Sequence, residues 1–410
     1  MSTALSHSHV AERSRQDILA GLPAVLARVG EGAAERELEG RLPHEIFQYL
    51  RTTGLTWLRV PKILGGPGGL ASEQVEVTCA LASADSGVAH ALRGHFAFIE
   101  TLAIDPDSET SRRYAPEVLA GKLFGGAHME VGTPRPNMIR TTLRREGDHY
   151  RLSGEKYYAT GAIYADYTSF SAVDEAGKPT GVMVPANRAG VTIRDDWDGM
   201  GQRLSASGSV LLDNVQIGDS ELSALRAGGG NPYARRHNAS RAQLHLMAVV
   251  AGITRNVLRD AVAYVQDQAR SAKHSASETA RGDHFVQLAV GEIAAISHTI
   301  DTLVAETARR LDASAAAILS EAADVDEVVL ATQLANSKGQ VLIGRLAMEA
   351  AQRLFDTGGG SATSRKRNFD RHWRNVRTLC NHNPAALRGR VLGDFYLNGT
   401  RAEFDEGRVF

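Results

Sequence analysis

Twice along this chain the spacing of apolar residues changes, and that change limits the possible folds more than any other feature. Up to about residue 120, Ile18, Val25, Leu26, Ile46, Phe47 and Leu50 recur at helical spacing. Between 149 and 217 the segments become short and alternating, at 149–161, 168–173, 180–186, 190–195 and 209–217, punctuated by glycine and aspartate. That is the pattern of a small β-barrel or sandwich. Helical spacing then returns in long runs. Leu244, Met247, Ala251, Thr254, Leu258, Val262 and Val265 form one stripe, and Phe285, Leu288, Ile293, Ile296, Ile300 and Leu303 form the next. A third helix over 325–355 and a fourth after Pro384 complete a four-helix bundle. The spacing predicts an α+β chain, mainly α. A helical domain at 1–120 precedes a β-domain at 121–228 and a bundle at 229–410. The tail at 1–16 lacks an apolar signal core, and 226–236 has linker composition. The bundle's wide apolar faces invite oligomer packing, and a homotetramer is expected.

Composition narrows the functions. A net charge of −1 gives no pull toward nucleic acid or an anionic membrane. The two cysteines, Cys79 and Cys380, form no paired spacing, which suits a cytoplasmic protein without disulfides or thiolate zinc. No apolar run approaches the ~20 residues of a membrane helix, so no span is expected. His44-Glu45 is followed by Gln48 where a zinc-protease helix needs histidine, and no metal site is expected. The glycine-rich 58–69 loop has no lysine after its glycines. No nucleophile elbow, Walker loop or nicotinamide fingerprint occurs.

The stretch most suggestive of chemistry is 371–399. Arg371, His372, Arg374 and Arg377 lead into Asn381-His382-Asn383-Pro384, and Arg388 and Arg390 follow. Proline disfavours helix in the residue before it, so Asn383 is expected to close one helix and Pro384 to open the next. A histidine at such a junction, beside cations that suit an anion, reads as a site. On residue type alone, His382 and His95 are equally core histidines satisfied by backbone. Thr160 by itself reads first as a strand residue in the ladder, and 358–367 equally as a flexible charged loop.

Four blocks carry a family likeness: FGGAHMEVG (124–132), GEKYYATGAIYAD (154–166), WDGMGQRLSASGSVLLDNV (197–215) and RHWRNVRTLCNHNPAALRGRVLGDFYLNG (371–399). Over nearly its whole length the chain resembles flavin-dependent monooxygenases built on the acyl-CoA dehydrogenase fold. These include dibenzothiophene monooxygenases, related sulfur-acquisition oxygenases, and amine or amino-sugar N-oxygenases. The resemblance implies reduced FMN delivered by a separate NAD(P)H:flavin reductase. Molecular oxygen would form a hydroperoxyflavin that gives one oxygen atom to an amine nitrogen, sulfur or aromatic carbon of a small-molecule substrate.

It further implies flavin contacts from Ala159, Thr160 and Gly161 and from His128, Met129 and Glu130. Phosphate contacts would come from Arg270 and from Ser361, Thr363, Ser364 and Arg365 in the 358–367 loop. His382 and His95 would position or protonate the peroxide. The loop after Arg270 lacks the Arg-x-x-Phe-Gly block of acyl-CoA dehydrogenases, which favours FMN over FAD. Leu379 stands where some sulfur oxygenases carry a second histidine, which argues against a thiophene substrate. The rival activities are an FAD-dependent acyl-CoA dehydrogenase and a non-catalytic flavin-fold binding subunit. The dehydrogenase needs a carboxylate base, whose two usual positions fall on Asn383 and near His245.

Overall fold

The computed structural model describes residues 13–135, 138–223 and 231–407. The expected tail falls mostly outside these residues, as does the 226–230 part of the expected linker. Four short helices come first: α1 (Arg15–Ala20), α2 (Leu22–Gly30), α3 (Ala33–Glu39) and α4 (His44–Leu50). They are followed by α5 (Ala71–Ala84), α6 (Ser86–Ala91), α7 (Arg93–Ile104) and α8 (Glu109–Leu119). Asp85 separates α5 from α6, as a capping residue should. Its carboxylate accepts the Gly87 and Val88 N–H groups, and Arg36 grips the other oxygen at 2.9 Å.

The middle of the chain is a curled eight-stranded sheet. Its strands are β1 (Phe124–Ala127), β2 (Thr142–Glu146), β3 (His149–Lys156), β4 (Tyr167–Val173), β5 (Pro179–Pro185), β6 (Val191–Ile193), β7 (Val210–Ile217) and β8 (Leu222–Ser223). They run in the order β6-β7-β3-β2-β4-β5-β8, with β1 parallel to β4 off that path. Alternation buries Leu152, Phe170, Val182, Val184, Val210, Leu212, Val215 and Ile217 together. Each such side chain contributes roughly 1.5–3 kcal/mol by leaving water.

The last third is the bundle. Its helices α9 (Pro232–Asp267), α10 (His284–Leu319) and α11 (Val325–Arg353) pack on one another, and α12 (Asp370–Cys380) and α13 (Ala385–Asn398) lie against α11. A short α14 (Ala402–Asp405) ends the described chain. Asn231 caps α9 from the Tyr233 and Ala234 N–H groups, with Pro232 at the first position.

Two expectations need correction. By length and composition α10 could cross a membrane, with a mean hydropathy of 1.3 over an eighteen-residue window. Its Glu292 and Asp301 nonetheless form ion pairs with Arg353 and Arg255 of the neighbouring bundle helices, at 3.1 and 2.9 Å. Only 28% of that window is buried within the chain, leaving Phe285 and Leu288 outward. The second correction concerns α12, which stops at Cys380 with Asn381 as its C-cap, while Pro384 caps α13. Asn383 therefore lies in the turn between helices and closes neither.

Candidate active site

A cleft of about 2040 Å³ opens between the sheet and the helices. The α6–α7 junction supplies His90, Arg93 and Gly94, and β1 supplies Gly125 and Gly126. Here helix crosses strand closely: a Cβ on Gly94 would fall 3.1 Å from the Gly126 nitrogen. The chain after β3 adds Tyr158 and Thr160, the loop before β7 adds Trp197 and Ser207, and the α12–α13 turn adds Leu379, His382 and Asn383.

His382 sits at the start of a polar relay. Arg93 Nη1 lies 3.0 Å from His382 Nε2. A guanidinium can only donate, so Nε2 accepts, and the Nδ1–H is left to donate to Asn383 Oδ1 at 3.2 Å. The Asn383 amide in turn donates to Gln243 Oε1, which also accepts from Gln340 at 2.8 Å. Partial desolvation at the cleft wall and the Arg93 charge lower His382 below the usual imidazole range, although its ring stays open to the cleft. It is therefore a neutral imidazole at neutral pH.

His95, paired with His382 on sequence grounds, does not reach the cleft. It is 1% exposed, its Nε2–H donates to the Thr56 carbonyl at 2.7 Å, and its Nδ1 accepts the Phe124 N–H at 3.2 Å. Both ring nitrogens are committed to backbone, which corrects its expected catalytic role to a structural one. His90 lines the cleft in its place. It is 7% exposed, and burial with the Arg93 charge pushes it down to about 3, against the opposing pull of the Gln202 side chain.

The expected flavin-contacting residues divide. Thr160 lines the cleft, its hydroxyl 2.8 Å from that of Ser207, which meets Ser205 at 2.8 Å. His128 and Met129 also line it, the His128 ring 3.2 Å from the Ser169 hydroxyl. Glu130 turns away. Its carboxylate binds the buried Lys156 ammonium at 2.5 Å, the Thr141 hydroxyl at 2.8 Å, and the Arg140 and Thr141 N–H groups. Ala159 is buried and bonded through its N–H to Gly208. Gly161, at φ 73°, does allow a close approach, but to protein: a Cβ there would fall 2.0 Å from the Ala91 carbonyl oxygen.

The expected phosphate contacts lie elsewhere. Arg270, Ser361, Thr363, Ser364 and Arg365 are absent from the cleft lining. The Ser361 hydroxyl bonds Tyr264 of α9 at 2.7 Å, Arg367 stacks over the same ring, and Thr363 bonds Gly360. Nor do three of the four cations at the head of the 371–399 stretch await an anion. Arg371 and His372 both bind Asp260, and Arg374 binds Glu37 and Asp370.

Sequence reasoning missed Arg93, His90, Tyr158 and Gln243. Little in the sequence signalled them, since His90 ends α6 and Arg93 opens α7 across the turn at Leu92, and only the fold brings both to the cleft. Tyr158 is half exposed, with positive φ, and meets Trp197 edge-on at 6.0 Å. The Trp197 indole N–H is buried without a partner.

Among the described residues, no carboxylate is hydrogen-bonded to Arg93, His382, Asn383 or Thr160. Of the carboxylates lining the cleft, Asp105, Asp107 and Glu109 stand beyond the far end of α7, roughly 18 Å along the helix from Arg93. Glu221 is taken by Arg188, and Asp219 and Glu321 complete the set. His245 is buried, bonded to the Ala89 carbonyl at 3.1 Å, and pushed well below the usual imidazole range by burial.

Comparison with known proteins agrees with this geometry. Three family models match in succession: acyl-CoA dehydrogenase N-terminal domain over 24–122, middle domain over 127–215 and C-terminal domain over 244–386. A probable FMNH2-dependent monooxygenase, SfnC of Pseudomonas putida, is 28% identical across 90% of this chain and 92% of its own. The solved structure of methanesulfinate monooxygenase MsuC from Pseudomonas fluorescens superposes with a TM-score of 0.83 at 29% identity, covering 97% of this chain and 98% of that one. FMN-bound TdsC from Paenibacillus sp. A11-2 gives 0.84 at 26% identity, covering 93% and 98%.

Proposed function

We infer, from the chain's membership of the acyl-CoA dehydrogenase family with all three domains in order, that it has exchanged that family's dehydrogenation for oxygenation. The proposed activity is a reduced-flavin-dependent monooxygenase that uses FMN from a separate NAD(P)H:flavin reductase and acts on a small sulfur-containing molecule. The observation that carries this reading is the corner around His382. Thioester oxidation needs an ionised acid there, and the chain offers an amide at Asn383 and a buried imidazole at His245.

The cleft fits a flavin ring. Tyr158 and Trp197 set two aromatic rings edge to face on one wall, Gly125 and Gly126 line another without side chains, and the Thr160 hydroxyl supplies a polar contact for the ring's edge. When bound, reduced FMN supplies the two electrons with which O2 is split, one atom going to substrate and the other leaving as water. In this reading Thr160, held by Ser207, orients the ring, and His128 and Met129 border it. Leu379 keeps water from the reacting atoms. His382 holds a proton on Nδ1 against Asn383 and, through Nε2, fixes the Arg93 guanidinium. The outward face of α10 is assigned to contacts within a homotetramer, and the two free thiols suit a reducing cytoplasm.

The test supplies photoreduced FMN and 18O2 to the purified protein with a panel of thioethers, sulfinates and amines. One labelled oxygen atom in the product is expected. Oxidation of a CoA thioester by an artificial electron acceptor, without oxygenation, would overturn the assignment.

A further inference from the structure

We propose that Arg93 forms a seat for a negatively charged head group on the substrate, a small organic oxyanion such as a sulfinate, sulfonate or carboxylate. This rests on the oxygenase reading above and names the substrate class of the same cleft.

The argument starts from how this protein treats its other enclosed guanidinium groups. Arg36 is matched by Asp85, Arg59 by Glu100, Arg236 by Asp326, Arg371 by Asp260 and Arg374 by Glu37. Arg93 has no such partner. Its one side-chain hydrogen bond goes to neutral His382, and its Nε is buried with no acceptor. Behind it Arg241, 5% exposed, donates to the Arg93 carbonyl at 3.4 Å and likewise forms no ion pair among the described residues. The nearby Glu100 is already shared by Arg59 and His237. Burial pulls both Arg93 and Arg241 down to about 10, the sign of cations short of compensation. A partly enclosed charge without a counter-ion is unfavourable, and of the two only Arg93 lines the cleft.

The shape of the fork suggests what is missing. With Nη1 committed to His382 and Nε closed off from the cleft, Nη2 is the donor of the fork left to meet an anionic oxygen. His90, three residues earlier, lines the same wall as a neutral ring. The other cleft-lining histidine near this edge, His382, is neutral too, so the seat's charge belongs to arginine alone.

Calorimetric titration tests this on the whole protein, with and without saturating oxidised FMN. The anionic probes are methanesulfinate, ethanesulfonate and benzoate, and dimethyl sulfone is the uncharged probe of similar size. At least one anion should bind at least ~10-fold more tightly than the sulfone. Arg93→Gln should weaken that anion roughly 10–100-fold, the worth of hydrogen bonds to a charged group, with FMN affinity within about twofold. Arg93→Lys, which keeps the charge, should recover part of the loss and covers the case in which the glutamine variant misfolds. Anions binding no better than the sulfone would overturn the proposal. So would an Arg93→Gln variant that loses FMN but retains riboflavin, since the guanidinium would then be reading flavin phosphate. Intact preference for anions in a protein that binds no FMN would sink the oxygenase reading and leave the seat standing.

Discussion

The two histidines singled out from sequence are chemically alike and structurally opposite. Residue type and neighbouring motif made both legible as candidates, but neither says which way a ring faces. Arg93 and His95 lie two positions apart on α7, about 200° around the helix, so one meets the cleft and the other the core. His95→Ala should accordingly cost roughly 2–4 kcal/mol through a lost buried side chain and an unsatisfied carbonyl, while the folded fraction still couples oxygen use to product. His382→Ala should do the reverse. Coupled product should fall by roughly 10²–10⁴-fold with little change in melting temperature. Thermal melts run beside oxygen-to-product stoichiometry would check both, and exchanged phenotypes would refute the assignment.

Among the elements, periodicity located the strands well, β4 and β5 each within a residue of the expected segments. The end of α12 was harder, because proline constrains the residue before it and says nothing of the two before that. Glu130 was harder still. Its block matched a flavin-contacting segment, and no local pattern reveals that Lys156, twenty-six residues on, takes its carboxylate inside the sheet. Removing one member of a buried pair strands the other, so Glu130→Ala should destabilise by roughly 3–5 kcal/mol. Replacing both with Glu130→Leu and Lys156→Met should restore much of that. Denaturant melts of the single and double variants make the comparison, and a double variant no better than the single would contradict it.

For the molecule as a whole, the order helices, sheet, bundle was readable because each stretch keeps its own period over many residues. The cleft was not, since its walls come from segments almost 300 residues apart, and no local pattern says that Arg93 faces it without a carboxylate beside it. Enclosure also sets the response to acid. His95 and His372 are held at about 4, below the ordinary imidazole value of about 6.5. As pH falls from 6.5 toward 4, the unfolded chain therefore binds protons that the folded one refuses, and stability declines through that window. At pH 5 each such histidine costs roughly 2 kcal/mol. Asp260, held at about 2 by His372 and Arg371 despite burial, adds a further loss between about pH 4 and 2. Scanning calorimetry at pH 7.5 and 5 should show a lower melting temperature in acid, and a constant or higher one would count against this account. The contact of Gly161 with the Ala91 carbonyl, and of Gly94 with Gly125 and Gly126, sets main chain directly upon main chain. Where Gly94, Gly125 and Gly126 reach the cavity its margin is therefore hinged on bare backbone, so an alanine at Gly94 would wedge helix from sheet and widen the slot a flat guest has to fill.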